Sequence, residues 1–120
     1  MTRNEELLLK DLCSRLPYGV KVEIYNHWRD EYEDETLTLD NYAELINTFS
    51  VEDIKPYLFP MSSMTEEQKK EYKQFLEDID GYAYSIDCVP QIEWLNKNYF
   101  DYRGLIPLGL AIDATNLNVY

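Results

Sequence analysis

Five carboxylates fall within six residues, at Asp30, Glu31, Glu33, Asp34 and Glu35, with Tyr32 among them. Side chains of this type at this density hold cations or meet basic surfaces, and they repel phosphate. Carboxylate pairs hydrolyse glycosides only when they face each other across a cleft at a set separation, which spacing along a chain does not report. The run therefore reads as a binding face for a partner rather than as a catalytic pair. The single histidine, His27, stands beside Trp28 and near Asp30. A Cys–His nucleophile would need folding to bring it to Cys13 or Cys88. The blander reading is a surface or capping imidazole.

The two cysteines have no Cys-x-x-Cys spacing, and one histidine does not complete a metal site with either. Cys13 falls on an apolar helical stripe and Cys88 in a short apolar run, so both are expected as reduced and mostly buried thiols. Asp78-Ile79-Asp80-Gly81 matches part of a calcium loop. With Gly81 in the sixth place, however, the first ligand would be Leu76 and the last Asp87 in place of Glu, so the motif fails. No glycine-rich phosphate loop, nucleophile elbow or paired metal motif occurs among only four glycines. No catalytic residue, cofactor or metal is assigned. Arg103 is the only base after Lys97, between Tyr102 and Gly104. Pairing with Asp101 or a neighbouring carboxylate is its expected role, and anchoring a ligand is the alternative.

Charge sets the partner class. Twenty-three acids against eleven bases give −12 at pH 7, and residues 30–54 carry nine acids with no Lys or Arg. Such a surface repels nucleic-acid backbones and anionic membranes. Another protein, one with a basic face, is the expected partner, and solubility is the simpler use of the charge. No apolar run approaches the roughly 18 residues that span a bilayer, and the first residues lack a secretory pattern. A soluble, cytoplasmic protein is expected. Nothing in the pattern specifies an oligomeric state.

The elements that must position these groups follow from periodicity. At 120 residues, 45% of them hydrophobic, the chain is expected to fold as one domain, residues 1–120. Thr2 with Glu5 has capping-box spacing, and Leu8, Leu9, Leu12, Cys13 and Leu16 recur at helical intervals, leaving Glu6, Lys10, Asp11 and Ser14 outward. Pro17 and Gly19 end that helix. Val20 to Tyr25 alternates as a half-buried strand. The acidic run is expected as a long turn or hairpin tip, with Thr36 to Leu39 as the returning strand. Residues 40–49 read as a short helix capped by Asp40, with an edge strand as the alternative. Ser50 with Asp53 makes one turn, and Tyr57 to Pro60 reads as an apolar connector.

Thr65 and Gln68 cap the clearest helix, with Tyr72, Phe75, Leu76 and Ile79 as its stripe and Gly81 as its stop. A short strand over 82–86, a helix opened by Pro90 and a final strand over Leu108 to Ala114 complete the order. The fold class expected is α+β, with a small, mainly antiparallel sheet packed against about three helices.

Three stretches carry a resemblance: KDLCSRLPYGVKV from Lys10 to Val22, DIKPYLFPMSSMTEE from Asp53 to Glu67, and Trp94-Leu95-Asn96 through Asp101-Tyr102-Arg103-Gly104-Leu105-Ile106. They resemble a family of short uncharacterised bacterial proteins from gut bacteria and their prophage-like or mobile elements. The resemblance covers about half the chain, omits residues 26–50, and implies a cytoplasmic accessory role without catalytic residues to carry over. The expected function is a non-enzymatic accessory protein acting through protein–protein binding. The alternatives are a small ligand-binding domain or enzyme with a carboxylate-lined pocket, and an acidic nucleic-acid mimic.

Overall fold

The structure, a computed structural model, describes residues 2–77 and 89–120. Helix α1 (Arg3–Arg15) opens on the expected cap, the Thr2 hydroxyl accepting from the Glu5 amide at 3.1 Å. Its inward face differs from the expectation. Leu8 and Leu12 are buried, but so are Asp11 and Arg15, whereas Cys13 is exposed. Asp11 and Arg15 stand one turn apart and neutralise each other, which lets both turn inward with the leucines and leaves Cys13 facing out. Pro17 then forces a tight 3-10 turn over Leu16–Tyr18. Gly19 follows at φ 71°, a left-handed conformation costly to a residue with a Cβ.

Strand β1 (Val20–Asn26) buries Val20, Val22 and Ile24 as its alternation requires. It pairs antiparallel along its whole length with β2 (Glu31–Leu37), from Val20 opposite Leu37 to Asn26 opposite Glu31. The acidic run is thus a strand and not a hairpin tip. The turn is confined to residues 27–30, where the Asn26 side-chain carbonyl accepts from the Trp28 and Arg29 amides at 3.0 and 3.2 Å. Asp30 completes it in the left-handed region at φ 51°. The early start of β2 follows from pairing: Tyr32 lies opposite Tyr25, with the rings 5.0 Å apart, and Arg29 lies 3.8 and 3.9 Å from Glu31 and Glu33. Cross-strand partners override the poor strand propensity of acids.

Residues 42–48 form helix α2 (Tyr42–Thr48), preceded by Asn41 rather than Asp40, and Leu45, Ile46 and Phe49 lean on the core. A third strand, β3 (Ile54–Leu58), occupies what reads in sequence as a turn and a connector. Pro56 is tolerated there because its neighbour on the far side, β4 (Ile112–Asp113), pairs only from Tyr57 onward. The ladder runs β2-β1-β3-β4, antiparallel except for the last pair. The final strand is shorter than the alternation over Leu108 to Ala114 predicts. Leu108 and Gly109 instead close turns on the Leu105 and Ile106 carbonyls at 3.2 and 3.0 Å.

Helix α3 (Glu66–Glu77) begins with both bonds of its capping box: Thr65 N–H to Gln68 Oε1 at 2.9 Å, and Gln68 N–H to Thr65 Oγ1 at 3.1 Å. Helix α4 (Val89–Lys97) returns beside it. Ile79, the stop at Gly81, the strand expected over 82–86, the Asp78–Gly81 fragment and Cys88 all lie outside the described residues. The fold is α+β, with four α-helices among the described residues and a mostly antiparallel sheet. None of those helices is long and apolar enough to cross a membrane.

Two apolar clusters result. Leu8 and Leu12 of α1 and Leu16 of the turn after it pack with Val22, Ile24 and Ile54 of the sheet, while Met64, Leu95 and Phe100 form a second cluster with Trp94 and Tyr72 at its margin. Arg15 joins them. Its guanidinium donates to Asp11 through Nε and Nη2 at 2.9 and 3.0 Å, to the Phe100 carbonyl at 2.7 Å and to the Leu95 carbonyl at 3.5 Å.

Candidate functional site

With α1 over one face of the sheet, the alternation along the strands leaves the opposite face to polar and aromatic side chains. Lys21, Glu23 and Tyr25 of β1 lie opposite Thr36, Asp34 and Tyr32 of β2, and Lys55 of β3 lies opposite Glu23. Glu23 and Asp34 are like charges directly across from each other, an arrangement that destabilises a ladder. Tyr57 relieves it. Its hydroxyl donates to Asp34 Oδ1 at 2.7 Å and lies 3.4 Å from Glu23 Oε2. Burial, and then the bond to Asp34, push the Tyr57 phenol well above its ordinary value. At neutral pH it is a fixed hydrogen-bond donor and neither a base nor a nucleophile. Tyr25 donates in the same way to Asp30, a bond that raises its phenol too, with desolvation adding to it.

The hairpin end of the sheet carries the largest exposed rings, Tyr32 on this face and Trp28 in the turn. Trp28 is 75% and Tyr32 67% exposed, with Trp28 edge-on to Phe49 at 6.0 Å. His27 packs at right angles on Tyr25 at 4.6 Å, and its Nε2 meets Asp53 Oδ2 at 2.9 Å. The histidine is therefore a surface imidazole paired with a carboxylate. Two hollows open on the face. One, of about 240 Å³, lies among Glu23, Tyr25, Tyr32, Glu52, Asp53 and Lys55. The other, of about 370 Å³, has Lys21, Asp34, Glu35, Thr36 and Tyr57 around it and the tail at Asn118 and Val119 along one side. Among the described residues no three His, Cys, Asp or Glu side chains come together as a metal site.

The five acids of the run do not act as one cluster. Asp30 sits in the turn and Asp34 on the open face, while alternation puts Glu31, Glu33 and Glu35 on the side that carries the core. There Glu33 accepts from Asn26 Nδ2 at 3.1 Å, and Glu31 and Glu35 remain exposed. As the outermost strand, β2 is also the free edge of the sheet, and its acids discourage edge-to-edge pairing of copies.

Arg103 is engaged within the molecule: Nη1 donates to Asp11 Oδ1 at 2.8 Å and Nη2 to Ser14 Oγ at 3.0 Å, over the Tyr102 ring at 4.6 Å. Asp101, its expected partner, instead accepts from the Leu105 and Ile106 amides at 2.8 and 2.9 Å. No known family model, curated protein or solved structure matches this chain. The open face and its hairpin end remain the strongest candidate on geometry alone. The exposed ring of Trp28, beside His27 in the sequence, is the feature that reading the carboxylates first leaves out. Aromatic residues inside an acidic stretch are the signal that finds it.

Proposed function

We propose that this protein is a non-enzymatic binding module whose open sheet face and hairpin end dock a protein partner with a basic surface. One observation carries the reading: Tyr32 stands exposed on the open face beside Glu23, Glu52 and Asp53, and Trp28 stands exposed in the turn that leads into the acidic strand. Interfaces concentrate their energy in Trp, Tyr and Arg, with polar groups around them. Here the rings are the anchors, and the carboxylates select a cationic counterpart and speed its approach. The accessory, mobile-element setting implied by the family resemblance is compatible with such a module.

The test compares the intact protein with a Trp28→Ser/Tyr32→Ser double variant and a Glu23→Gln/Asp34→Asn/Glu52→Gln variant as baits in affinity capture from a bacterial lysate. A protein bound by the intact chain and lost from both variants, with release as salt is raised, supports the reading. Retention of every captured protein by both variants overturns it.

A second reading, a small-ligand site with carboxylate walls, is favoured by the hollow around Lys21, Asp34, Glu35 and Tyr57. There the Lys21 ammonium shares the hollow with Asp34 and with the protonated Tyr57 phenol that donates to that carboxylate.

A further inference from the structure

The largest cleft described lies away from the acidic face, where the end of β3, the end of α4 and the turn at Thr115 and Asn116 meet. It measures about 490 Å³, within the range of small-molecule sites, and no acidic side chain lines it although the chain carries 23. Phe59, Tyr99, Phe100 and Tyr120 form its aromatic wall, and Tyr99 and Tyr120 stack at 3.8 Å with their planes 10° apart. The Tyr120 hydroxyl turns inward to the Tyr57 carbonyl at 2.9 Å, and the residue as a whole is 42% exposed, with Phe59 5.9 Å from its ring.

Backbone geometry holds the wall in place. Tyr99 follows α4 at φ 62°, where glycine is the usual residue. It is fixed by the Tyr99 amide on the Asn96 carbonyl at 3.1 Å and the Phe100 amide on the Leu95 carbonyl at 3.0 Å. Asn116, across the cleft, is also left-handed at φ 70°. Residues held in this region are strained, and they cluster at ligand sites.

The polar groups at the rim are of mixed sense. Gln68 uses Oε1 in the helix cap, which leaves Nε2 as a donor, and Asn98 uses Nδ2 on the Trp94 carbonyl at 2.9 Å, which leaves Oδ1 as an acceptor. Asn116 offers both, and Lys97 has no carboxylate partner among the described residues. Donors and acceptors interleaved beside flat apolar rings match a ligand whose hydroxyls donate and accept together and whose C–H face is apolar. A net charge of −12 disfavours anions over the whole surface.

From these observations we infer that the cleft is a binding site for a neutral saccharide of one or two rings, stacked on the tyrosine wall and hydrogen-bonded by Gln68, Asn98 and Asn116. The site is separate from the protein-binding face, and neither depends on the other.

The test is a titration of the isotopically labelled full chain, followed by NMR. The probes are glucose, galactose, mannose, N-acetylglucosamine, maltose, cellobiose and lactose, with inorganic phosphate and glucuronate as the anionic arm. The expected result is saturable shifts at Gln68, Asn98, Tyr99 and Asn116 with a neutral sugar. Gln68→Glu keeps the helix cap but removes the donor, and it should weaken binding about tenfold, the loss of one hydrogen bond. Lys97→Met should leave neutral-sugar binding within about twofold. Binding of phosphate or glucuronate alone, lost in Lys97→Met, overturns the inference in favour of an anion site. Absence of shifts with every neutral sugar up to about 20 mM overturns it outright, since a usable site binds at millimolar or better.

Discussion

Replacing Asp11 by Ala removes the only carboxylate that Arg15 meets among the described residues. Both side chains are fully buried, and Arg15 keeps only the carbonyls of Leu95 and Phe100 once the carboxylate is gone. A buried ion pair broken on one side leaves an uncompensated charge, which costs about 3–5 kcal/mol. Arg103 also loses its partner at 2.8 Å, but it is partly exposed and turns to water at smaller cost. Against a total stability of about 5–15 kcal/mol for a domain, Asp11→Ala is expected to be severe. Equilibrium urea unfolding measures it. With a slope of about 1–3 kcal/mol per molar, the midpoint should fall by roughly 2 M. The double variant Asp11→Leu/Arg15→Met removes both charges, and it should recover most of the loss because apolar residues of similar volume replace a buried pair at little cost. A single-variant loss below about 1 kcal/mol, or a double variant no better than the single, refutes the reasoning.

Two further outcomes are expected. The Tyr57 phenol is raised in the folded state by burial and by Asp34, so above about pH 10 the unfolded chain gives up that proton first and stability falls as pH rises. Tyr57→Phe should remove one share of this alkaline decline, to which the raised phenols of Tyr120, Tyr99 and Tyr25 also contribute, seen in urea midpoints measured from pH 8 to pH 11, and it should cost about 1–2 kcal/mol at pH 7 through the lost bond to Asp34. Cys13 is exposed on α1, so a thiol reagent should label it in the native protein without denaturant, and Cys13→Ser should change stability by less than about 0.5 kcal/mol.

What could be read in the sequence was what local geometry decides. Thr2 and Thr65 announce helices because their hydroxyls cap amides three residues on, and both bonds are present. The Val20–Tyr25 alternation gives β1 because one face meets α1 and the other does not. The misses are tertiary. The strand through Glu31 to Leu37 exists because β1 offers it a partner at every position, which no propensity of Asp or Glu foretells. Strand β3 is hidden by Pro56, and its tolerance depends on how far β4 reaches. Asp11 read as an outward charge, and its partner Arg15 went unassigned. Their one available clue was opposite charge at i,i+4 in line with Leu8 and Leu12. The acidic character of the candidate face was legible, but its splitting between two sides of the sheet and its alliance with Trp28 required the register.

The guanidinium of Arg15 finds its two carbonyl acceptors 80 and 85 residues further along the chain. A ribosome releases α1 long before those acceptors exist, so during synthesis the helix holds a charged pair that nothing yet covers. Closing so long a loop is entropically slow, and the contact is made only after both ends are in place. Assembly of this protein is therefore a late event that waits for the stretch around Phe100, and a nascent chain that stops short of it lacks the bolt between the two halves of its core.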